Sequence, residues 1–224
     1  MDDDVRELSA QEVVPDHLFA DPRHYASDIA LLNYLLQDLR AMTRRCLKGE
    51  LDLAPQQLHT WQVHGLERRT VTCDPVRLCS YDDVQIVGFF GDRRRPTDQA
   101  LIDESDLDLI AEFVHHPGLL SYSSIELVDH YWANLVVHSH PGDREQWRSS
   151  QAHQHAVEHV APNAFHSVRI HNGCVPGGAP GSNTVIIEST KYWDYDVTPT
   201  WHAARTLPGG ESEQLVGPST IELS

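Results

Sequence analysis

The order of the elements predicted between residues 84 and 172 constrains the fold more than any other feature of the chain. Four apolar runs bounded by turn-forming residues predict strands at 84–90, 119–127, 131–140 and 167–172. Helices are predicted between the first two strands and between the last two, and they end at Pro117 and Pro162. This β-α-β-β-α-β order is that of a ferredoxin-like α+β domain, in which two helices cover one face of an antiparallel sheet.

The other face of such a sheet must face either water or a second protein layer. The residues of the third predicted strand indicate which of the two it is. One set of alternate residues suits packing under helices: Tyr131, Ala133, Leu135 and Val137. The other set is half-polar: Trp132, Asn134, Val136, His138 and His140. In the fourth strand, Arg169 and His171 alternate with apolar residues. We therefore predict a half-polar cavity inside a barrel that a second copy of the sheet closes.

The chain resembles the dimeric α+β-barrel superfamily in four segments: VQIVGFF, HPGLLSYSSIEL, YWANLVVHSHPG and EQWRSSQAHQHAVEHVAP. That superfamily includes antibiotic-biosynthesis monooxygenases, haem-degrading monooxygenases and chlorite-dismutase-like proteins. The resemblance covers roughly residues 82–195. It implies a homodimer that binds a small-molecule substrate in a barrel cavity.

The rest of the chain lies outside this resemblance. We expect residues 1–80 to form an N-terminal arm and helical extension, 81–195 the barrel domain, and 196–224 a C-terminal tail. Leucines at spacings of three and four predict a helix with one apolar face in the extension: Leu32, Leu35, Leu36 and Leu39. That face must pack on something, either the end of the barrel or the partner subunit.

The first candidate site combines five residues of the third and fourth strands: Trp132, Asn134, His138, Arg169 and His171. An imidazole can exchange a proton near neutral pH, and amide and guanidinium groups can hold an oxyanion. An indole offers an apolar wall to an aromatic ligand. The resemblance implies comparable sets in cofactor-independent oxygenases. The alternative is that these are satisfied polar residues at a sheet edge or a dimer interface.

The second candidate site consists of three histidines on the second predicted helix: His153, His155 and His159. The resemblance implies haem bound through a helix histidine beside the cavity, and His153 lies nearest the apolar stripe. His155 and His159 are four residues apart, a spacing that also suits Zn or Ni. The alternatives are a solvated histidine-rich helix and a protein without a cofactor.

A third candidate is a metal site at the pair His138 and His140, which share one face of the third strand. His171 could complete that site. No carboxylate on this strand shares the face, so a facial triad is not expected.

The charge of the chain excludes one class of partner. The sequence has 33 acidic and 17 basic residues and a formal net charge of −16, which repels phosphate backbones. We therefore expect no binding to nucleic acid. The apolar runs are too short to span a bilayer, and the N-terminus is acidic, so we expect a cytoplasmic protein that does not bind membranes.

The leading expectation is a small-molecule oxidoreductase with haem bound in the barrel cavity through a histidine. The first alternative is a cofactor-independent monooxygenase that acts on an aromatic or polyketide-like substrate. The second is a non-catalytic ligand-binding barrel.

Overall fold

The computed structural model describes residues 5–63, 65–94, 99–127 and 131–207. Within these ranges the chain forms one sheet of nine strands in the spatial order β1-β9-β8-β7-β4-β6-β5-β3-β2. The strands are β1 Arg6–Leu8, β2 Gln57–Val63, β3 Leu66–Thr72, β4 Val84–Arg93, β5 Leu119–Glu126, β6 Tyr131–His138, β7 Phe165–Val175, β8 Ile186–Asp194 and β9 Trp201–Thr206. The pair β1 and β9 is parallel, and the other neighbouring strands are antiparallel.

The helices lie between these strands in the chain. They are α1 His24–Leu47, α2 Pro75–Leu78, α3 Gln99–Glu112, α4 Pro141–Arg148, α5 Gln151–His155 and α6 Ala161–Ala164. Short 3₁₀ turns span Leu18–Ala20 and Phe113–His115, and a π-helical turn over Ala156–Val160 joins α5 to α6. Among the described residues, no helix combines the length and the apolar character needed to cross a membrane.

The predicted fold, a four-strand ferredoxin-like sheet closed into a dimeric α+β barrel, is wrong. The sheet has nine strands and is open, with β1 at one edge and β2 at the other. Segments before residue 84 and after residue 175 add β1, β2, β3, β8 and β9 to the four strands of the predicted ferredoxin-like domain. The predicted strands themselves lie together at the centre of the sheet in the order β7-β4-β6-β5.

Helix α1 packs on the face of the sheet that was predicted to lie under helices. Its leucines Leu32, Leu35, Leu36 and Leu39 are almost fully buried against Ile86, Phe90 and the odd-numbered residues of β6. Each such leucine contributes about 1.5–3 kcal/mol to folding. The packing is close over β4, because a Cβ at Gly88 would lie 2.8 Å from Leu32 Cδ1. The helix expected to need a partner subunit or barrel end therefore packs on the sheet of its own chain.

The opposite face carries the segments from α3 to α6 rather than a second sheet. Phe113 and Trp147 pack with Val136 and Tyr122 in one cluster, and Val160 packs with Phe165 in another. The even-numbered residues of β6 face these helices. The half-polar strand face thus lies under helices of the same chain, with a cavity between the two layers.

Candidate functional site

A cavity of about 330 Å³ lies between the sheet and the segments α3 to α6. Its apolar floor includes Val87, Phe89, Val136 and Ile170, and its walls include Trp132, Trp147 and Trp193. The volume falls at the lower end of the range for small-molecule sites, and the mixture of apolar and aromatic walls with a few polar groups is typical of them. This is the strongest candidate site among the described residues.

His138 is the most unusual polar residue of this cavity. It is the last residue of β6, it is fully buried, and neither of its ring nitrogens has a hydrogen-bond partner. Burial lowers its pKa from 6.5 to about 4, and the nearby Asp143 offsets part of that effect. The imidazole is therefore neutral at physiological pH, with a free lone pair and a free N–H group.

The local sequence explains how His138 is held. Residue parity on β6 places it on the same face as Val136 and Asn134, and α4 begins at Pro141, directly after the strand. Asp143 accepts hydrogen bonds from Ser139 Oγ at 2.5 Å and from the His140 backbone N–H at 2.9 Å. These contacts fix the strand-to-helix junction without engaging the imidazole.

A second polar centre lies further along β6, at Asn134. The Tyr122 hydroxyl, which lies near the Asn134 side chain, donates a hydrogen bond to Asp106 Oδ1 at 3.1 Å. Arg69 forms an ion pair with Asp106 at 2.8 Å. Burial, with the charge of Asp106, raises the pKa of Tyr122 well above its usual range, so the hydroxyl stays protonated. Asn134 Oδ1 is buried and has no hydrogen-bond partner, so it can accept a hydrogen bond from a ligand.

The structure separates the three helix histidines that were predicted to bind a cofactor. His153 lies on the cavity wall, where its ring contacts Trp147 edge-on at a centroid distance of 5.6 Å. Burial lowers the pKa of His153 to about 4. His155 and His159 are exposed and lie 5.2 Å from each other, centroid to centroid. His153 therefore shares the cavity with His138, whereas the other two do not.

The five residues of the first predicted site are likewise divided between the two faces of the sheet. Trp132, Asn134 and His138 line the cavity. Arg169 and His171 lie on the α1 face, because they pair across the sheet with Phe90 and Gly88, whose side-chain positions face α1. The residues of β7 that reach the cavity are Phe165, Ile170 and Asn172. The prediction chose the wrong face for the polar residues of this strand.

Arg169 and His171 belong instead to a buried network under α1. Arg169 donates from Nε and Nη2 to the two oxygens of Asp28 at 2.5 and 2.7 Å. His171 Nε2 lies 2.8 Å from Asp28 Oδ2, and its Nδ1 lies 2.8 Å from Thr190 Oγ1. His24 Nε2 lies 3.0 Å from the Tyr192 hydroxyl. Burial alone would raise the pKa of Asp28, but Arg169 and the imidazoles hold it well below its usual range.

A metal ion fits this network poorly. His24, Asp28 and His171 form the one group among the described residues whose ligand atoms lie close enough together for a metal, within 4.8 Å. However, the Arg169 guanidinium already neutralises Asp28, and both nitrogens of His171 have partners. A divalent cation would have to displace a buried arginine. We therefore assign the network a structural role.

The predicted metal pair His138 and His140 is also separated. His138 is buried beside the cavity, whereas His140 is exposed at the start of α4. His171 lies on the other face of the sheet, so the structure does not bring these three histidines together.

Sequence reasoning missed several residues that the structure places in these two sites. His24 and Asp28 were not singled out, although Asp28 lies on the apolar stripe of α1 with Leu32, which is a signal for a buried charge. Lys191 on β8 and Arg148 on α4 line the cavity and were also missed. They carried no local pattern that distinguishes them from surface cations.

Comparisons with known proteins give little further information. No family model and no curated protein matches the chain. A crystal structure of protein SO0527 from Shewanella oneidensis is similar to part of it, with 16% identity and a TM-score of 0.37. The match covers 42% of this chain and 91% of that one. A TM-score of 0.37 is too low to indicate a shared fold. The comparisons do not test the resemblance to the dimeric-barrel superfamily, which stays a prediction.

Proposed function

We propose that the protein is an enzyme that binds a small, mostly apolar aromatic molecule in the cavity and uses His138 as the proton acceptor. The observation that carries this proposal is the fully buried His138 imidazole, whose two nitrogens have no partner and which lines the cavity. Most buried polar side-chain atoms in proteins have a hydrogen-bond partner. Two orphaned nitrogens on a cavity wall therefore favour a ligand as the missing partner.

The cavity surface suggests the chemical class of that ligand. Apolar and aromatic side chains form most of the surface, which suits a flat aromatic body. Asn134 and His138 lie four residues apart on one strand, or about 13 Å between their Cα atoms. A molecule of two or three fused rings can reach both side chains. It would form a hydrogen bond with the Asn134 carboxamide, which can donate to a carbonyl or accept from a hydroxyl, at one end and present an acidic proton to His138 at the other.

The neutral state of His138 suits it to accept a proton. With its pKa held at about 4 by burial, the imidazole has a free lone pair throughout the physiological pH range. A pKa this low also makes it a weak base before the substrate reacts. The anion formed when the proton leaves the substrate would stabilise the imidazolium, as Asp143 already does in part. The imidazolium and the substrate anion would therefore stabilise each other, because the attraction between opposite charges is stronger where water is excluded.

The proposal is tested with anthrone, a three-ring ketone with an acidic C–H group. Once deprotonated, anthrone reacts with oxygen to give anthraquinone and water, which is the monooxygenase reaction predicted from the sequence. We expect anthrone consumption and oxygen uptake with the purified protein, and a loss of at least 100-fold in His138→Asn. His140→Asn is the matched control, because it removes an exposed histidine two residues away.

The binding step is tested separately with N-phenyl-1-naphthylamine, a neutral aromatic dye that fluoresces in apolar sites. We expect saturable binding to the wild-type protein and loss of binding in Ala156→Trp, which fills the cavity from the π-helical turn. Dye binding without turnover of anthrone or related acidic aromatics would favour the non-catalytic alternative. Absence of both would refute the proposal.

Haem is a second candidate because His153 lies on the cavity wall. It is the one residue of the three predicted haem ligands in that position. A cavity of about 330 Å³ is small for a porphyrin, so α4 to α6 would have to lie further from the sheet in a haem-bound form. The test is the ultraviolet–visible spectrum of protein expressed with haem precursor. A Soret band that His153→Ala abolishes and His155→Ala retains would support haem, and a featureless spectrum would refute it.

A further inference from the structure

A row of side chains crosses the cavity floor from β6 to β8. Asn134 pairs with Phe89, Phe89 pairs with Ile170, and Ile170 pairs with Lys191. All four side chains face the cavity. Three strand spacings separate the two ends of the row, or about 14 Å. The row is therefore polar at Asn134, apolar in the middle and cationic at Lys191.

Lys191 is an unusual residue for this position. It is one of two lysines in the sequence, the other being Lys48. Lys191 is half-buried, and among the described residues no side chain forms an ion pair or a hydrogen bond with its ammonium group. Ordinary surface lysines extend into water, whereas this one is held on the wall of an apolar cavity.

Two further cations lie near Lys191, namely Arg148 and Arg144 of α4. Both arginines share the same partner, Glu145, at 3.3 and 3.5 Å, and the side chain of Glu145 is 60% exposed. Arg144 also donates to Asn172 Oδ1 at 3.2 Å. One exposed carboxylate thus forms ion pairs with two guanidinium groups, and it attracts the Lys191 ammonium without a direct ion-pair contact.

This arrangement is costly unless an anion joins it. Burial, together with Arg148 and Arg144, lowers the pKa of Lys191, and the carboxylates Glu145 and Glu7 offset only part of that effect. The charged form is therefore disfavoured in the free protein. An anionic group between Lys191 and Arg148 would reverse that effect. The surrounding protein is strongly acidic, with a net charge of −16, so this cluster is a local exception to the overall charge.

We propose that the ligand of this cavity carries an anionic group, such as a carboxylate, that Lys191 and Arg148 bind at the β8 end of the floor. This inference rests on the proposed function, since it names the substrate class of the same cavity. The substrate would then be an aromatic acid with its anionic group at Lys191, its apolar body over Phe89 and Ile170, and its reactive proton at His138.

The test uses a matched pair of dyes. N-phenyl-1-naphthylamine and 1-anilinonaphthalene-8-sulfonate share the same aromatic skeleton, but the second carries a sulfonate. We expect the sulfonate dye to bind at least tenfold more tightly than the neutral dye to the wild-type protein. Lys191→Met should weaken the sulfonate dye about tenfold and leave the neutral dye unchanged, since a charge-assisted hydrogen bond is lost. Lys191→Arg should retain tight binding.

Lys48→Met is the control, because Lys48 is exposed at the end of α1. It removes the same net charge without touching the cavity, so it should leave both affinities unchanged. Equal sulfonate affinity in wild type and Lys191→Met, with the neutral dye still bound in the cavity, would overturn this inference alone. Failure of both dyes to bind the wild-type protein would overturn the proposed function as well.

Discussion

The neutral, buried state of His138 makes a specific prediction about stability and pH. In the folded protein its pKa is about 4, whereas the ordinary value is 6.5. Between these two values the unfolded chain binds a proton at this residue and the folded protein does not. The free energy of unfolding therefore falls as the pH is lowered from 6.5 towards 4.

The magnitude follows from the same two values. In the middle of that window the residue contributes a slope of about 1.4 kcal/mol per pH unit, and about 3 kcal/mol in total. Burial also lowers the pKa of His24 and of His153 to about 4, so these two add slopes of the same sign. Replacing His138 by Asn, which does not titrate, should remove the contribution of His138 and leave those of the other histidines.

The assay is urea-induced unfolding followed by tryptophan fluorescence at several pH values between 4.5 and 6.5. We expect the pH slope of the unfolding free energy to be smaller by about 1.4 kcal/mol per pH unit in His138→Asn than in the wild-type protein. His140→Asn should keep the wild-type slope, because His140 is exposed. An unchanged slope in His138→Asn would refute the argument that this imidazole is buried and neutral.

Three further predictions concern the packing under α1. Asp28→Leu should lower the free energy of unfolding by about 3–5 kcal/mol, because it leaves Arg169 buried without its carboxylate. Adding Arg169→Met should restore most of the lost stability. A double variant as unstable as Asp28→Leu alone would contradict the ion-pair argument. Zn²⁺ should not raise the melting temperature, and a rise that His24→Ala abolishes would show a metal site. Gly88→Ala should cost about 1–3 kcal/mol, since its Cβ would crowd Leu32, and a neutral effect would mean that α1 lies further from β4.

The sequence predicted local elements better than their assembly. The four central strands and the leucine-faced helix α1 were recognisable because each has a strong apolar period of its own. The helix begins at His24, and Ser27, within its first turn, donates a hydrogen bond from Oγ to the His24 carbonyl. The barrel prediction failed because short-range sequence patterns do not show which face of the sheet a helix from a distant part of the chain covers.

The additional strands were harder to predict from the sequence. β2 and β3 carry a mixture of polar and apolar residues, and β9 lies in the segment that was taken for a tail. Their identity as strands depends on pairing with β5 and β8, which is long-range information. Propensity alone is weak for such half-polar strands at the sides of a sheet.

The candidate site was predictable in part for the same reason. The alternation on β6 placed Asn134 and His138 on one face, and both line the cavity. On β7 the polar alternation was visible but not its direction, and the deciding residue was Asp28 on α1, which attracts Arg169 and His171. A buried ion pair between distant elements leaves only one sign in the sequence, a charge on an apolar stripe.

The most direct test of the central claim is a nuclear magnetic resonance measurement of the His138 imidazole during titration with N-phenyl-1-naphthylamine at pH 6.5. The account predicts ring resonances of a neutral imidazole in the free protein. It also predicts that they shift with the dye in proportion to binding, and that Ala156→Trp abolishes this shift. A protonated His138 in the free protein, or resonances that do not respond to bound dye, would contradict the account.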